Sequence, residues 1–239
     1  MNSHPLKVVL LAATLLTPAF AAESIAAEAK PVSTVLAVLN LADGSTLEFQ
    51  EEAAGGLAVT AQGRVRQQNG QHHNTINGIS VAKLLRLGPA ELYQAVTGGS
   101  AAPEALRAAQ ARTDSAGRTE RSMAPPPNAT KLPAASAQPE SSYYCQYDVW
   151  RFCYPGTTGN WNYQRNTYLM DSYLSVYAGY PSVYHKLSRW NGSSWVYSGY
   201  SQWVGPGNWG YIYIYGGYPW KRVDVSGYGS RYSWAITGH

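Results

Sequence analysis

From residue 143 to the C-terminus, apolar and polar positions alternate in short runs broken by Gly, Pro, Asn and Ser. A period of two between turn residues is the pattern of half-buried β-strands. It predicts strands over Tyr147–Cys153, Thr167–Ala178, Val183–Leu187, Trp195–Tyr200, Trp209–Tyr215, Arg222–Ser226 and Arg231–Ile236. Turns are expected at Pro155-Gly156, Asn191-Gly192, Gly205-Pro206-Gly207-Asn208 and Gly216-Gly217. No run in this part has the length or composition of a helix. The pattern is that of an antiparallel β-sandwich or small barrel. A Tyr-x-Gly-Tyr motif recurs at Tyr177–Tyr180, Tyr197–Tyr200 and Tyr215–Tyr218. Its uneven spacing reads as recurring strand-end chemistry rather than as a duplicated site.

The first half is patterned differently. Val35 to Leu41, Asp43-Gly44 and Thr46 to Gln50 read as a hairpin with an Asp-Gly turn. Leu57 to Thr60 adds a strand, and the polar stretch Arg64 to Gly78 reads as a loop. Pro89 and Pro103 each suit the first turn of a short helix, the second running over Glu104 to Ala111. Residues 22–112 are thus expected to form a small α+β unit with a marginal core. Residues 113–142 are rich in Ala, Pro, Ser and Thr and include Pro125-Pro126-Pro127. Such a stretch buries too little apolar surface to offset its ordering entropy, so a disordered linker is expected.

The N-terminus carries an export pattern. Lys7 precedes an apolar run from Val8 to Leu16, Pro18 ends it, and Ala19-Phe20-Ala21 supplies a small-x-small cleavage site. Residues 1–21 are therefore read as a signal peptide, and the mature protein as secreted, extracellular or periplasmic. Residues 22–142 read either as a removable pro-region or as a permanent tandem unit. The only two cysteines, Cys145 and Cys153, are expected to close a short disulfide in an oxidising compartment.

Composition sharpens the division. All 8 Trp and 18 of the 19 Tyr fall in residues 143–239, against 3 Phe in the whole chain. That part carries a net charge of +4 and residues 22–142 a net charge of −1. The modest charge argues against a nucleic-acid partner.

The alternation also assigns faces. Over Trp209–Tyr215 one face carries Trp209, Tyr211, Tyr213 and Tyr215, and the other Gly210, Ile212 and Ile214. Over Tyr173–Ala178 the faces carry Tyr173, Ser175 and Tyr177 against Leu174, Val176 and Ala178. With the aliphatic faces as core, the aromatic faces would form an open binding surface. Trp190, Trp195, Trp203 and Trp209 have Asn, Gln or Ser beside them, the partners that sugar hydroxyls need, while the Trp and Tyr rings suit flat sugar faces. The expected ligand-binding set is Tyr173, Tyr177, Trp190, Trp195, Trp203, Trp209, Tyr211, Tyr213 and Tyr215.

The reading is a non-catalytic binding protein for an extracellular glycan or protein ligand, lectin-like, with no cofactor or metal. A membrane surface ranks lower as a partner, because no amphipathic helix accompanies the aromatics. The alternative is a secreted hydrolase inhibitor or a toxin displaying Arg151. No nucleophile elbow is present. His185 is expected on a half-exposed strand, and Asp148, Asp171 and Asp224 as partners of arginines or turns. His72-His73 lies in the polar loop and reads as no metal site.

Overall fold

The computed structural model describes residues 33–53, 55–68, 71–73, 75–117, 125–126, 151–153, 160–227, 229–230 and 232–238. The expected signal peptide, Cys145 of the expected disulfide and most of the expected linker lie outside the described residues.

The described chain opens with a meander of β1 (Ser33–Asn40), β2 (Thr46–Glu52) and β3 (Leu57–Arg64). Asp43 shapes the first turn by accepting the Ser45 backbone N–H at 3.0 Å. Two small hairpins follow, β4 (Arg66–Gln68) with β5 (Gln71–His73) and β6 (Thr75–Ile76) with β7 (Ile79–Ser80). The polar stretch expected as a loop is therefore partly paired. Asn77 and Gly78, both at positive φ, close the second hairpin; Asn-Gly is the usual two-residue signal for such a turn.

Three helices come next: α1 (Val81–Leu84), α2 (Pro89–Val96) and α3 (Glu104–Gly117). Pro89 starts α2, as its fixed φ and missing N–H favour. The expected end of α3 at Ala111 is corrected. The helix runs on through Gly117 because Asp114 accepts the hydroxyls of Tyr168 at 2.8 Å and Tyr215 at 2.7 Å. The expected linker therefore starts five residues too early, at 113.

The remaining strands are β8 (Arg151–Cys153), β9 (Asn160–Asn166), β10 (Leu169–Val176), β11 (Val183–Trp190), β12 (Trp195–Val204), β13 (Asn208–Tyr215), β14 (Trp220–Ser226) and β15 (Tyr232–Gly238). β9 was not expected from the sequence. It pairs with β14 over seven residue pairs. The first and third Tyr-x-Gly-Tyr motifs follow β10 and end β13, but the second lies inside β12.

The protein is mainly β, with antiparallel pairing throughout. Seven strands lie in the order β1-β2-β3-β13-β10-β15-β8, and four in the order β12-β11-β14-β9. The two sheets pack face to face around Ala58, Met170, Leu174, Ile212 and Ile214 on one side and Val183, Leu187, Val204, Val223 and Val225 on the other. This is the expected sandwich, and the α+β segment before it joins the same sheet. β3 pairs with β13 from Asn208↔Arg64 to Tyr215↔Leu57, so the meander continues the sheet of the aromatic part.

The open aromatic face is corrected too. Trp209, Tyr211, Tyr213 and Tyr173 are at most 2% exposed. They pack with Leu47, Phe49, Val59 and Ala61 of β2 and β3 and with Val81, Leu84, Leu92, Val96 and Leu106 of the helical segment. The large sheet is thus buried on both faces at β3, β13 and β10, with helices on one side and the small sheet on the other. Tyr213→Ala should cost about 3–5 kcal/mol of stability and Ile212→Ala about 2–5 kcal/mol, because both empty a packed core. Paired thermal melts check this. A silent Tyr213→Ala would restore the open-face arrangement.

Candidate functional site

The nine aromatics expected as one site are divided by the fold. On the helix side of the large sheet, Tyr211 and Tyr213 stack at 6.2 Å and Tyr173 stacks on Trp209 at 5.7 Å. Tyr211 donates to the Asp171 carboxylate at 2.6 Å, and Tyr213 donates to the Leu87 carbonyl at 3.0 Å. Burial holds both phenols well above the usual tyrosine range, so they remain neutral donors. Asp171 also accepts the Arg86 backbone N–H at 3.0 Å and ties the α1–α2 connection to the sheet. Tyr215 is half-buried against α3, and Tyr177 is buried at the end of β10. These six aromatics join layers of the fold.

The other three lie on the small sheet. Its inward positions include His185, Leu187, Val223 and Val225. The alternate positions face away from the large sheet. Cross-strand register puts Tyr184 opposite Trp203, Trp190 opposite Trp195, Ser188 opposite Arg222 and Lys186 opposite Asp224. Asn162 and Gln164 lie beyond, opposite Asp224 and Arg222. Trp203 is 71% exposed, and its ring lies 5.1 Å from that of Tyr184. Trp190 is buried beneath Trp195 at 5.6 Å, and the Arg222 guanidinium sits 5.1 Å from the Trp195 ring. Arg222 also pairs with Asp224 at 3.0 Å. Six residues separate Tyr184 from Trp190, so the aromatic pairs stand roughly 20 Å apart along the strand.

A groove runs beside this sheet. β1 and β2 extend the large sheet past the edge strand β12. The face of β2 and β3 beside that edge carries Thr46, Glu48, Gln50, Thr60 and Gln62. One cavity of about 320 Å³ is lined by Thr46, Gln62, Arg64, Gln202, Asn208 and neighbours. A second, of about 440 Å³, is lined by Glu48, Gln50, Thr60, Tyr200, Ser201 and Gln202 among others. Thr46, Gln62 and Gln202 line both, so the two are halves of one groove. Gln50 is held at its base, accepting from Ser33 at 2.7 Å and from Tyr200 at 3.1 Å.

His185 is fully buried rather than half-exposed. It links Ser172 Oγ to Nδ1 at 2.9 Å and Gln202 Oε1 to Nε2 at 3.1 Å. Burial pushes its pKa down to about 4, with Gln202 opposing part of that shift. Ser172 is equally buried, between the sheets, and lines neither of the two cavities above. The pair is therefore no nucleophile–base arrangement open to substrate. At the other end of the sandwich, Glu52 and Arg189 form a buried ion pair at 2.9 Å. Burial still lifts the Glu52 carboxyl above its usual range, against the pull of Arg189. Among the described residues no group of three or more His, Cys, Asp or Glu could hold a metal ion. No helix among them is long and apolar enough to cross a membrane.

Gln202 and Asn208 are legible in the sequence as polar neighbours of Trp203 and Trp209, but Gln62 and the groove are not, because its walls come from β2–β3 and β12, far apart in the chain. Comparison with protein families, with curated proteins and with solved structures finds nothing that matches this chain.

His185 sets a pH dependence. Its folded pKa lies below its ordinary value of 6.5, so the unfolded chain takes up the proton first as pH falls. Its contribution to stability is complete above about pH 6.5 and is lost progressively towards pH 4. The loss amounts to roughly 3 kcal/mol. Denaturant melts of the parent and of His185→Gln across this range check it. The parent should lose about that much more stability than His185→Gln as pH falls from 6.5 towards 4, and parallel curves would contradict the buried neutral imidazole.

Proposed function

We propose that this is an exported, non-catalytic binding protein that takes a glycan chain on the outward face of the four-stranded sheet. One observation carries the reading. Trp203 stands 71% exposed on a sheet face that also holds Tyr184, Trp195, Asn162 and Gln164. An aromatic ring costs free energy to leave in water, and aromatic clusters on otherwise polar surfaces mark interaction sites. Rigid Tyr and Trp rings also lose little entropy on binding. Sugar rings present C–H faces to such rings and hydroxyls to amides.

The separation of the two aromatic pairs suits a chain of several sugar units better than a single one. The charge around it is mixed, with Lys186, Arg222 and Asp224, which suits a neutral ligand better than a polyanion. Export rests on Lys7, the Val8–Leu16 run and Ala19-Phe20-Ala21. Relative to the sequence expectation, the reading keeps the glycan and moves it from the Tyr213 face to the Trp203 face.

The test is retention of the full chain on cellulose, chitin and mannan, with Trp203→Ala and Trp195→Ala as probes. A hot-spot aromatic should cost about 2 kcal/mol or more of binding. Trp203→Ala should leave the melting temperature nearly unchanged, since an exposed strand position contributes about a kcal/mol or less. Retention on none of these polysaccharides, or full retention of both variants, would defeat the proposal.

A further inference from the structure

The groove beside β12 contains one side chain whose orientation the rest of the fold fixes. Gln202 Nε2 donates to the Ala61 backbone carbonyl at 3.0 Å, and that carbonyl can only accept. Gln202 Oε1 therefore faces His185 Nε2, which must carry the proton and donate. With the imidazole neutral, His185 Nδ1 accepts from Ser172 Oγ–H. One directional chain thus runs Ser172 to His185 to Gln202 to Ala61. It starts on β10, crosses the small sheet at β11 and β12, and returns to the large sheet at β3. Gly210 leaves room for it, since a Cβ there would stand 2.5 Å from Gln202 Oε1.

Burying a serine and a histidine between apolar sheets is costly unless every polar atom is satisfied. Here they are satisfied by aiming a single amide. Two capacities of that amide remain unused by this chain, one N–H and one lone pair on Oε1. Gln202 lines both halves of the groove. Around it lie Thr46, Thr60, Gln62 and Asn208, all neutral donors and acceptors, with Glu48 and Arg64 apart in different halves.

We propose that the groove is a second ligand site, bordering the Trp203 face, that takes a neutral polyhydroxylated ligand, and that Gln202 selects it by pairing its free N–H and its Oε1 with neighbouring hydroxyls. His185 and Ser172 are positioning residues that act through Gln202. Donors and acceptors without a cluster of one charge suit a sugar and do not suit phosphate or carboxylate. A fixed amide discriminates between hydroxyl arrangements because it need not be ordered on binding. The cavity sizes fall within the range that holds small ligands. The site shares its ligand class with the proposed function, and Trp203 borders both, but the groove is read by Gln202.

The experiment is NMR on the full chain, following the side-chain amide signals of Gln202, Gln62 and Asn208 during titration with the methyl glycosides of glucose, galactose, mannose and N-acetylglucosamine. At least one glycoside should shift all three. Gln202→Ala should weaken that binding tenfold or more. His185→Leu should weaken it equally and add nothing in the Gln202→Ala background, as expected of two residues acting as one unit. His185→Gln offers a neutral N–H donor in place of Nε2 and should restore binding, an outcome that a space-filling role would not give. Without ligand, the Gln202 amide should be rigid in the parent and in His185→Gln and mobile in His185→Leu. If His185→Leu does not fold, Ser172→Ala should show a smaller loss of both rigidity and affinity. The inference is overturned if no glycoside shifts the Gln202 amide, if Gln202→Ala binds as the parent does, or if the His185 and Gln202 effects add. Polysaccharide retention through Trp203 that survives Gln202→Ala would leave the proposed function standing while these results remove the groove.

Discussion

A phenol is hard to bury. Its ring gains from leaving water, but its hydroxyl costs a kcal/mol or more wherever no acceptor meets it. The helix side of the large sheet carries a row of such rings, and the fold is arranged to receive their hydroxyls. Tyr211 donates to Asp171 within the same sheet. Tyr213 reaches the Leu87 carbonyl between α1 and α2, and Tyr215 and Tyr168 converge on Asp114 of α3. Asp171 in turn accepts the Arg86 N–H. The helical layer is therefore docked by hydrogen bonds as well as by Leu84, Leu92 and Leu106, and the direction of each bond limits where each helix sits.

That arrangement determines which surfaces remain for binding. With one face of the large sheet under helices and the other under the small sheet, β10 and the middle of β13 offer nothing to solvent. Among the described residues the small sheet is covered on one side only, which leaves outward residues such as Trp203 open. The large sheet also has more strands than its partner, and β1 and β2 extend past β12. The overhang puts polar residues such as Thr46, Glu48 and Gln62 beside a strand edge and creates the groove. Both candidate surfaces follow from the unequal widths of two sheets packed face to face.

The period-two pattern placed strands at β10 to β15 and divided β13 and β10 correctly into aromatic and aliphatic faces. It could not say which face meets water, because alternation marks two environments and not their identity. The clue lay in the other half of the chain. Leu47, Phe49, Leu84, Leu92 and Leu106 are too few to make a core by themselves, and they are the cover of the Tyr face. β9 was hidden by its asparagines and the β6–β7 hairpin by the polarity around Asn77-Gly78. Of the expected site residues, Trp203 and Trp195 kept access to solvent, while Tyr173, Trp209, Tyr211 and Tyr213 became core. Gln202 was legible only as a polar neighbour of Trp203, because what fixes its orientation, the His185 bond and the Ala61 carbonyl, depends on pairings between distant strands.

The central claim is that the buried tyrosine row makes the helical layer and the large sheet one cooperative unit. Native-state hydrogen exchange tests it most directly, by comparing opening free energies for amides in α2 and α3 with those in β3 and β13. The account predicts a common value close to the global stability. Tyr213→Phe should lower all four together, because it leaves the Leu87 carbonyl without its donor. Helices that open at much lower free energy than β13, with β13 protection unchanged by Tyr213→Phe, would contradict it.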